Sequence, residues 1–218
     1  MTVCGLARLV SPTGEVFITA ASDSEVSATD TRLYGLVDKS KLFKVKDSVV
    51  AISGSGSCAE AVEDLLMDRT FLDTLDLCTR QGVRALGEQI YTLFKETAER
   101  SLTPEVVQHA GSILIGTPNA IYKMYPDFSC YAFLEFSGTG IGEESFVAAM
   151  TVLMRQLKEL DNPSHDDLDR AIKEAVEVAC THCLHCNPPV HLMRPALKCE
   201  PPKPKKGRKP KKESEFLV

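Results

Sequence analysis

Tryptophan is absent from this chain. So is any apolar run approaching the roughly 20 residues that a bilayer-spanning helix needs. The opening stretch "MTVCGLARLVSPTGEVF" lacks the basic-then-apolar layout of a secretory signal, because Pro12 and Gly14 break it. No Gly-Lys-Ser/Thr follows the glycine turn "SGSGS", so a phosphate loop is a poor reading of it. These absences point to a cytoplasmic protein that does not enter a membrane. In a reducing compartment its eight cysteines are free thiols or metal ligands rather than disulfides.

What is present is ordinary for a globular domain. At 218 residues the chain is long enough for one well-buried domain. Charge is spread unevenly. Residues 201–218 carry seven Lys/Arg against two Glu, a net +5, and the whole chain carries −5, which leaves about −10 on residues 1–200. An acidic body repels phosphates, so nucleic acid is not the expected partner. The Lys/Pro-rich end, residues 199–218, has too few apolar residues to fold and reads as a disordered basic tail behind a domain of residues 1–198.

Along that domain, residues 3–10 and "EVFITAAS" read as a hairpin around "SPTG". "KLFKV" and "SVVAIS" read as a second hairpin. Apolar residues then recur at helical spacing from Cys58 to Met67 and from Leu77 to Glu99. "GSILIGT", "AIYKMYP" and "YAFLEFS" read as three more strands, and "SGTGIG" (Ser137 to Gly142) as a second glycine turn. Helices are expected over Glu144–Leu160 and after Ser164, a helix cap with Asp166 and Asp167 in the first turn. Strands, two helices, strands and two helices are buried economically by two sheets packed face to face between helix layers. A doubly wound parallel sheet fits this order less well.

Three stretches carry chemistry. Thr2 follows the initiator methionine. A threonine hydroxyl needs a base, and a free α-amino group on the same residue, with a pKa near 8, supplies one. Removal of Met1 would expose it. Asp23 ends the second strand and Lys41 begins "KLFKV". An ammonium beside the threonine stabilises the alkoxide, and a carboxylate holds that ammonium in place. The "SGSGS" turn at a helix start offers backbone N–H groups for an oxyanion, from Gly54 or Gly56. Thr139 lies in the second glycine stretch. Each feature alone also fits a surface charge or a plain turn.

Taken in order, Thr2, "ITAASDSEVSA", "KLFKV", "VVAISGSGSCAEA", "SILIGT" and "FSGTGIG" resemble the β-type proteasome subunits, and in particular the bacterial HslV-type peptidase. The resemblance covers residues 2–192. It implies an α+β N-terminal-nucleophile (Ntn) hydrolase fold, a four-layer αββα sandwich of two antiparallel sheets between helices. It further implies a threonine endopeptidase with Thr2 as nucleophile, its amine as general base, Asp23 and Lys41 polarising the site, and Thr139 contacting the amine. Lys41 is preferred to Lys39 because "KLFKV" matches the family's strand pattern. Stacked homo-oligomeric rings, unfolded protein substrates and an AAA+ unfoldase ATPase are the implied partners. No cofactor is required for the chemistry.

"CTHCLHC" admits two readings. Cys180, Cys183 and Cys186, with His182 and His185 between them, have spacing seen in zinc sites. Equally, small residues at three-residue spacing share one face of a helix, which Asn187-Pro188-Pro189 then stops. The resemblance favours the helix end, where backbone carbonyls of Cys180, Cys183 and Cys186 would hold a monovalent cation such as Na+. Two other functions stay open: a catalytically silent proteasome-like subunit, and a zinc-binding interaction module with a basic tail. His109 and His165 read as surface residues.

Overall fold

Two apolar strands lay down the first sheet. β1 (Val3–Val10) and β2 (Val16–Ser22) pair antiparallel across a turn in which Gly14 takes φ +84°, a conformation that a side chain would strain. The computed structural model describes residues 3–24, 26–28, 31–33, 41–53, 56–100, 112–183 and 186–195. Within them, β3 (Val26–Ala28) and β4 (Thr31–Leu33) form a small antiparallel pair. β5 (Leu42–Val45), β6 (Ser48–Ile52), β7 (Ile113–Gly116), β8 (Ile121–Met124) and β9 (Cys130–Phe133) run in that order through an antiparallel second sheet. β10 (Phe136–Gly140) and β11 (His191–Met193) join the first sheet, whose order is β10-β1-β2-β11. The helices are α1 (Gly56–Met67), α2 (Arg69–Asp73), α3 (Arg80–Arg100), α4 (Glu143–Lys158) and α5 (His165–His182).

The two-residue period of the strands sorts their side chains into layers. Cys4, Leu6, Ile18 and Ala20 meet Leu42, Val49, Ala51, Leu114 and Ile121 between the sheets. Val3, Ala7 and Leu9 point the other way, onto Phe146 and Met150 of α4 and Leu168, Ile172 and Val176 of α5. The outer face of the second sheet buries Val50, Ile113 and Ile115 against Val62 of α1 and Val83, Leu86 and Ile90 of α3. Each sheet is thus covered on both faces, which is why β1, β2, β6 and β7 read as continuous apolar runs rather than alternating ones. The result is the expected αββα sandwich. Gly5 lets the layers close: a Cβ there would stand 2.1 Å from the Phe146 ring.

Several local expectations change. "YAFLEFS" is two strands, not one. It crosses between sheets at Leu134 and Glu135, where Arg8 donates from its backbone to Glu135 and from its guanidinium to the carbonyls of Leu134 and Pro118. "SGTG" is therefore strand β10, hydrogen-bonded along β1, and not a turn. Gly138 allows this, since a Cβ would lie 2.8 Å from Phe146. The β3–β4 pair, α2 and β11 have no strong periodic signal and went unread. Ser164 caps α5 as expected, in a reciprocal capping box with Asp167. His165 is half-buried, not a surface residue. Its Nε2 lies 3.0 Å from Thr19 Oγ1 and 3.0 Å from the Ile18 carbonyl. Residues 196–218, including the basic tail, and His109 lie outside the described residues. No described helix is long and apolar enough to cross a membrane.

Candidate active site

The β1–β2 register sets Cys4 opposite Ser22, which brings Asp23 beside the first described residue of β1. The Asp23 amide donates to the Val3 carbonyl at 3.1 Å, and the Val3 amide donates to Asp23 Oδ1 at 3.1 Å. Lys41 arrives from the second sheet. Its carbonyl accepts from the Ile52 amide at 3.0 Å, which extends the β5–β6 ladder, and its Nζ donates to the same Asp23 oxygen at 2.8 Å. A third element closes the set: the Asn187 amide donates to Asp23 Oδ2 at 3.4 Å. The Asp23 side chain is 0% exposed and that of Lys41 10%. A carboxylate this deep is tolerable only with charge and N–H partners of this kind.

Beside this pair lies a cluster of hydroxyls. Thr139 sits opposite Cys4 on β10. Its Oγ1 is 2.7 Å from Ser53 Oγ and 2.6 Å from Ser112 Oγ, and it donates to the Ser112 carbonyl at 3.0 Å. All three residues are buried. Ser112 went unread, although a serine directly before the apolar strand "ILIG" was the available sign. Across the same layer, Lys123 of β8 is buried and pairs with Glu143, the first residue of α4. A lysine inside the apolar strand "IYKM" was the sign missed there.

The remaining expected site residues divide in two. Thr2 and Gly54 lie outside the described residues, as does Lys39. Gly56 opens α1. At the other end of the fold's C-terminal helix, Cys183 caps α5 through its amide to the Ala179 carbonyl at 2.9 Å, and the Cys186 amide donates to the Cys183 carbonyl at 3.2 Å. Cys186 is buried in the layer between the first sheet and α4–α5, and Cys180 and Cys183 pack against it. Burial, with the Asp23 carboxylate nearby, pushes the Cys180 thiol up to about 12. The same causes, in the same order, raise Cys186. Among the described residues no group of three or more His, Cys, Asp or Glu side chains is arranged to hold a metal.

The arrangement offers a fixed ammonium, a carboxylate that holds it, and buried hydroxyls, all at the N-terminal end of β1. No protein-family model and no curated protein matches the chain. Solved structures do. BPH from Thiobacillus denitrificans, in complex with epoxomicin, aligns with a TM-score of 0.65 at 19% identity over 88% of this chain and 98% of its own. Anbu, an ancestral β-subunit from Yersinia bercovieri, aligns at 0.60 and 15% identity, over 88% of this chain and 80% of its own. Eukaryotic HslV from Trypanosoma brucei aligns at 0.53 and 13% identity, over 89% and 99%. The chain therefore has the Ntn-hydrolase fold of the HslV-like, proteasome β-type proteins, two antiparallel sheets packed between helix layers.

Proposed function

We propose that this chain is the threonine peptidase subunit of a self-compartmentalising cytoplasmic protease, with Thr2 as nucleophile once Met1 is removed. One observation carries the reading. The amide of Val3, to which the carbonyl carbon of Thr2 is covalently bonded, donates to the oxygen that also holds the Lys41 ammonium. The Thr2 amine takes the hydroxyl proton, and Oγ1 attacks a peptide carbonyl. Lys41 stabilises the alkoxide, and Asp23 keeps Lys41 aimed. Backbone N–H groups within Gly54–Gly56 receive the oxyanion. Collapse releases the amine product with the proton and leaves an ester on Thr2, which water cleaves with the same amine as base. Thr139, held by Ser53 and Ser112, contacts the amine. The reading requires the Thr2 side chain on the face of β1 that carries Cys4 and Leu6.

Confinement inside a homo-oligomer would restrict substrates to unfolded chains, which an AAA+ unfoldase would supply. The fold supports the assembly: Anbu from Pseudomonas aeruginosa, at a TM-score of 0.61, forms a helical assembly. The end of α5 fits a monovalent cation held by carbonyls of Cys180, Cys183 and Cys186, because carbonyl oxygens at a helix C-terminus carry partial negative charge. Such an ion would steady Asn187, whose amide reaches Asp23.

Intact mass of the purified protein, together with peptide hydrolysis, tests the reading. The expected result is a chain one methionine lighter, beginning at threonine, that hydrolyses unstructured peptides. Thr2→Ala should lose that hydrolysis by at least about 1,000-fold. A processed protein whose Thr2→Ala variant is as active, or as inactive, as the parent makes the chain a silent proteasome-like subunit instead.

A further inference from the structure

The cysteines at the end of α5 have a use that neither a cation site nor helix packing requires. Cys183 and Cys186 form a Cys-x-x-Cys unit whose backbone is closed by the Cys186 amide on the Cys183 carbonyl, at 3.2 Å. A backbone hydrogen bond from a residue to the carbonyl three positions earlier keeps those two Cα atoms within roughly 7 Å, the span a disulfide bridges. The two residues differ in exposure: Cys183 is half-buried, while Cys186 is 1% exposed. That asymmetry suits an outer thiol that meets the oxidant and an inner thiol that resolves it.

The pair also sits on a lever. Cys186 Sγ is 3.2 Å from where a Cβ on Gly142 would stand, a position also 2.9 Å from Val3 Cβ. The next residue, Asn187, donates its amide to Asp23 Oδ2 at 3.4 Å. Its carbonyl accepts from both the amide and the hydroxyl of Ser24, each at 3.1 Å. Closing an S–S bond of about 2.05 Å would move the Cys186 sulfur toward Cys183 and pull on the residue that follows it.

We propose that Cys183 and Cys186 are an oxidisable dithiol, closed by small disulfides such as oxidised glutathione, and that closure withdraws the Asn187 amide from Asp23 and slows the site. The Cys183 sulfur, losing its proton, attacks one sulfur of the small disulfide, and one small thiolate leaves. The Cys186 sulfur, losing its proton, then displaces the second. The protein gives up two electrons and two thiol hydrogens, and the small disulfide becomes two thiols. The effect on rate rests on the peptidase reading, but the bond itself does not.

The test equilibrates the full-length protein in glutathione buffers of rising oxidised fraction, alkylates the remaining thiols, and maps peptides by mass. Hydrolysis of an unstructured peptide is followed on the same samples. The expected product links Cys183 to Cys186, with the loss of two hydrogens, and leaves Cys4, Cys58, Cys78, Cys130, Cys180 and Cys199 alkylated after denaturation. The rate should fall about tenfold, as for loss of one hydrogen bond to a charge, and recover with dithiothreitol. In Cys183→Ser the ratio of oxidised to reduced rate should be one. No link in excess oxidised glutathione, or a link through Cys180, overturns the proposal. A Cys183–Cys186 link with an unchanged rate overturns the lever. A correct link in a protein that hydrolyses nothing when reduced upholds the dithiol and counts against the peptidase reading alone.

Discussion

Two ion pairs tie the second sheet to the rest of the sandwich, and they are built in opposite ways. In Asp23–Lys41 the carboxylate is the buried member, and two backbone amides support it besides the ammonium. In Lys123–Glu143 the ammonium is buried, with 3% exposure, and its carboxylate is 36% exposed. The first pair is fixed by three chain segments that meet at one carboxylate. The second is a lysine of the inter-sheet layer tied to the N-terminus of α4, where a glutamate also suits the helix dipole. A group held by several rigid backbones can be aimed at a reacting atom. A buried lysine with a partly solvated partner mainly holds a helix in place.

The largest effect should come from Asp23→Asn. Peptide hydrolysis should fall at least about 100-fold, and urea denaturation should show a loss of about 3 kcal/mol, because Lys41 loses its counter-charge in a mostly buried setting. Retained activity would mean that Lys41 is aimed by something else, and the contrast between the pairs would lose its meaning. The second pair should be asymmetric. Glu143→Gln leaves the buried ammonium without its charge partner and should cost about 2 kcal/mol. Lys123→Met leaves a carboxylate that water can reach and should cost less than about 1 kcal/mol. The reverse order would show that Glu143 is the better-held group.

Gly142 joins the two regions, since it precedes Glu143 and crowds Val3. A Cβ there would lie 2.9 Å from Val3 Cβ and 3.3 Å from Ala179 Cβ. Gly142→Ala should cost about 1–2 kcal/mol and lower hydrolysis more than Lys123→Met does. Smallest is Ser164→Ala, remote from both pairs, which should cost about 1 kcal/mol through its cap and leave hydrolysis unchanged. The Ser164 hydroxyl and amide hold the Asp167 carboxyl below its ordinary 3.8. A carboxyl lowered in the folded state stabilises above its unfolded pKa and loses that contribution as pH falls through the folded value. The deficit of Ser164→Ala should therefore shrink in acid melts below about pH 4.

Much of this was legible beforehand. The Ser164 cap, the apolar stripe of α5 from Leu168 to Ala179, and the β1–β2 and β5–β6 hairpins are local features, and local periodicity carries them. Asp23 and Lys41 were readable as a pair only through resemblance, since eighteen residues of sequence separation say nothing about distance. Ser112, Lys123, Glu143 and Asn187 were not readable as neighbours of the site at all. Each is brought there by a different element.

The sequence by itself determined that this chain is an αββα sandwich. Continuous apolar strands demand cover on both faces, and the amphipathic helices supply it. Tertiary structure alone decided which side of Leu134 and Glu135 belongs to which sheet. "YAFLEFS" carries a strand pattern across the whole stretch, and nothing local marks the crossing. The crossing is fixed by Arg8, more than a hundred residues away, whose backbone and guanidinium take the carbonyls of Glu135, Leu134 and Pro118. Carbonyls that leave a sheet ladder need other donors, and only the folded chain brings this one to them.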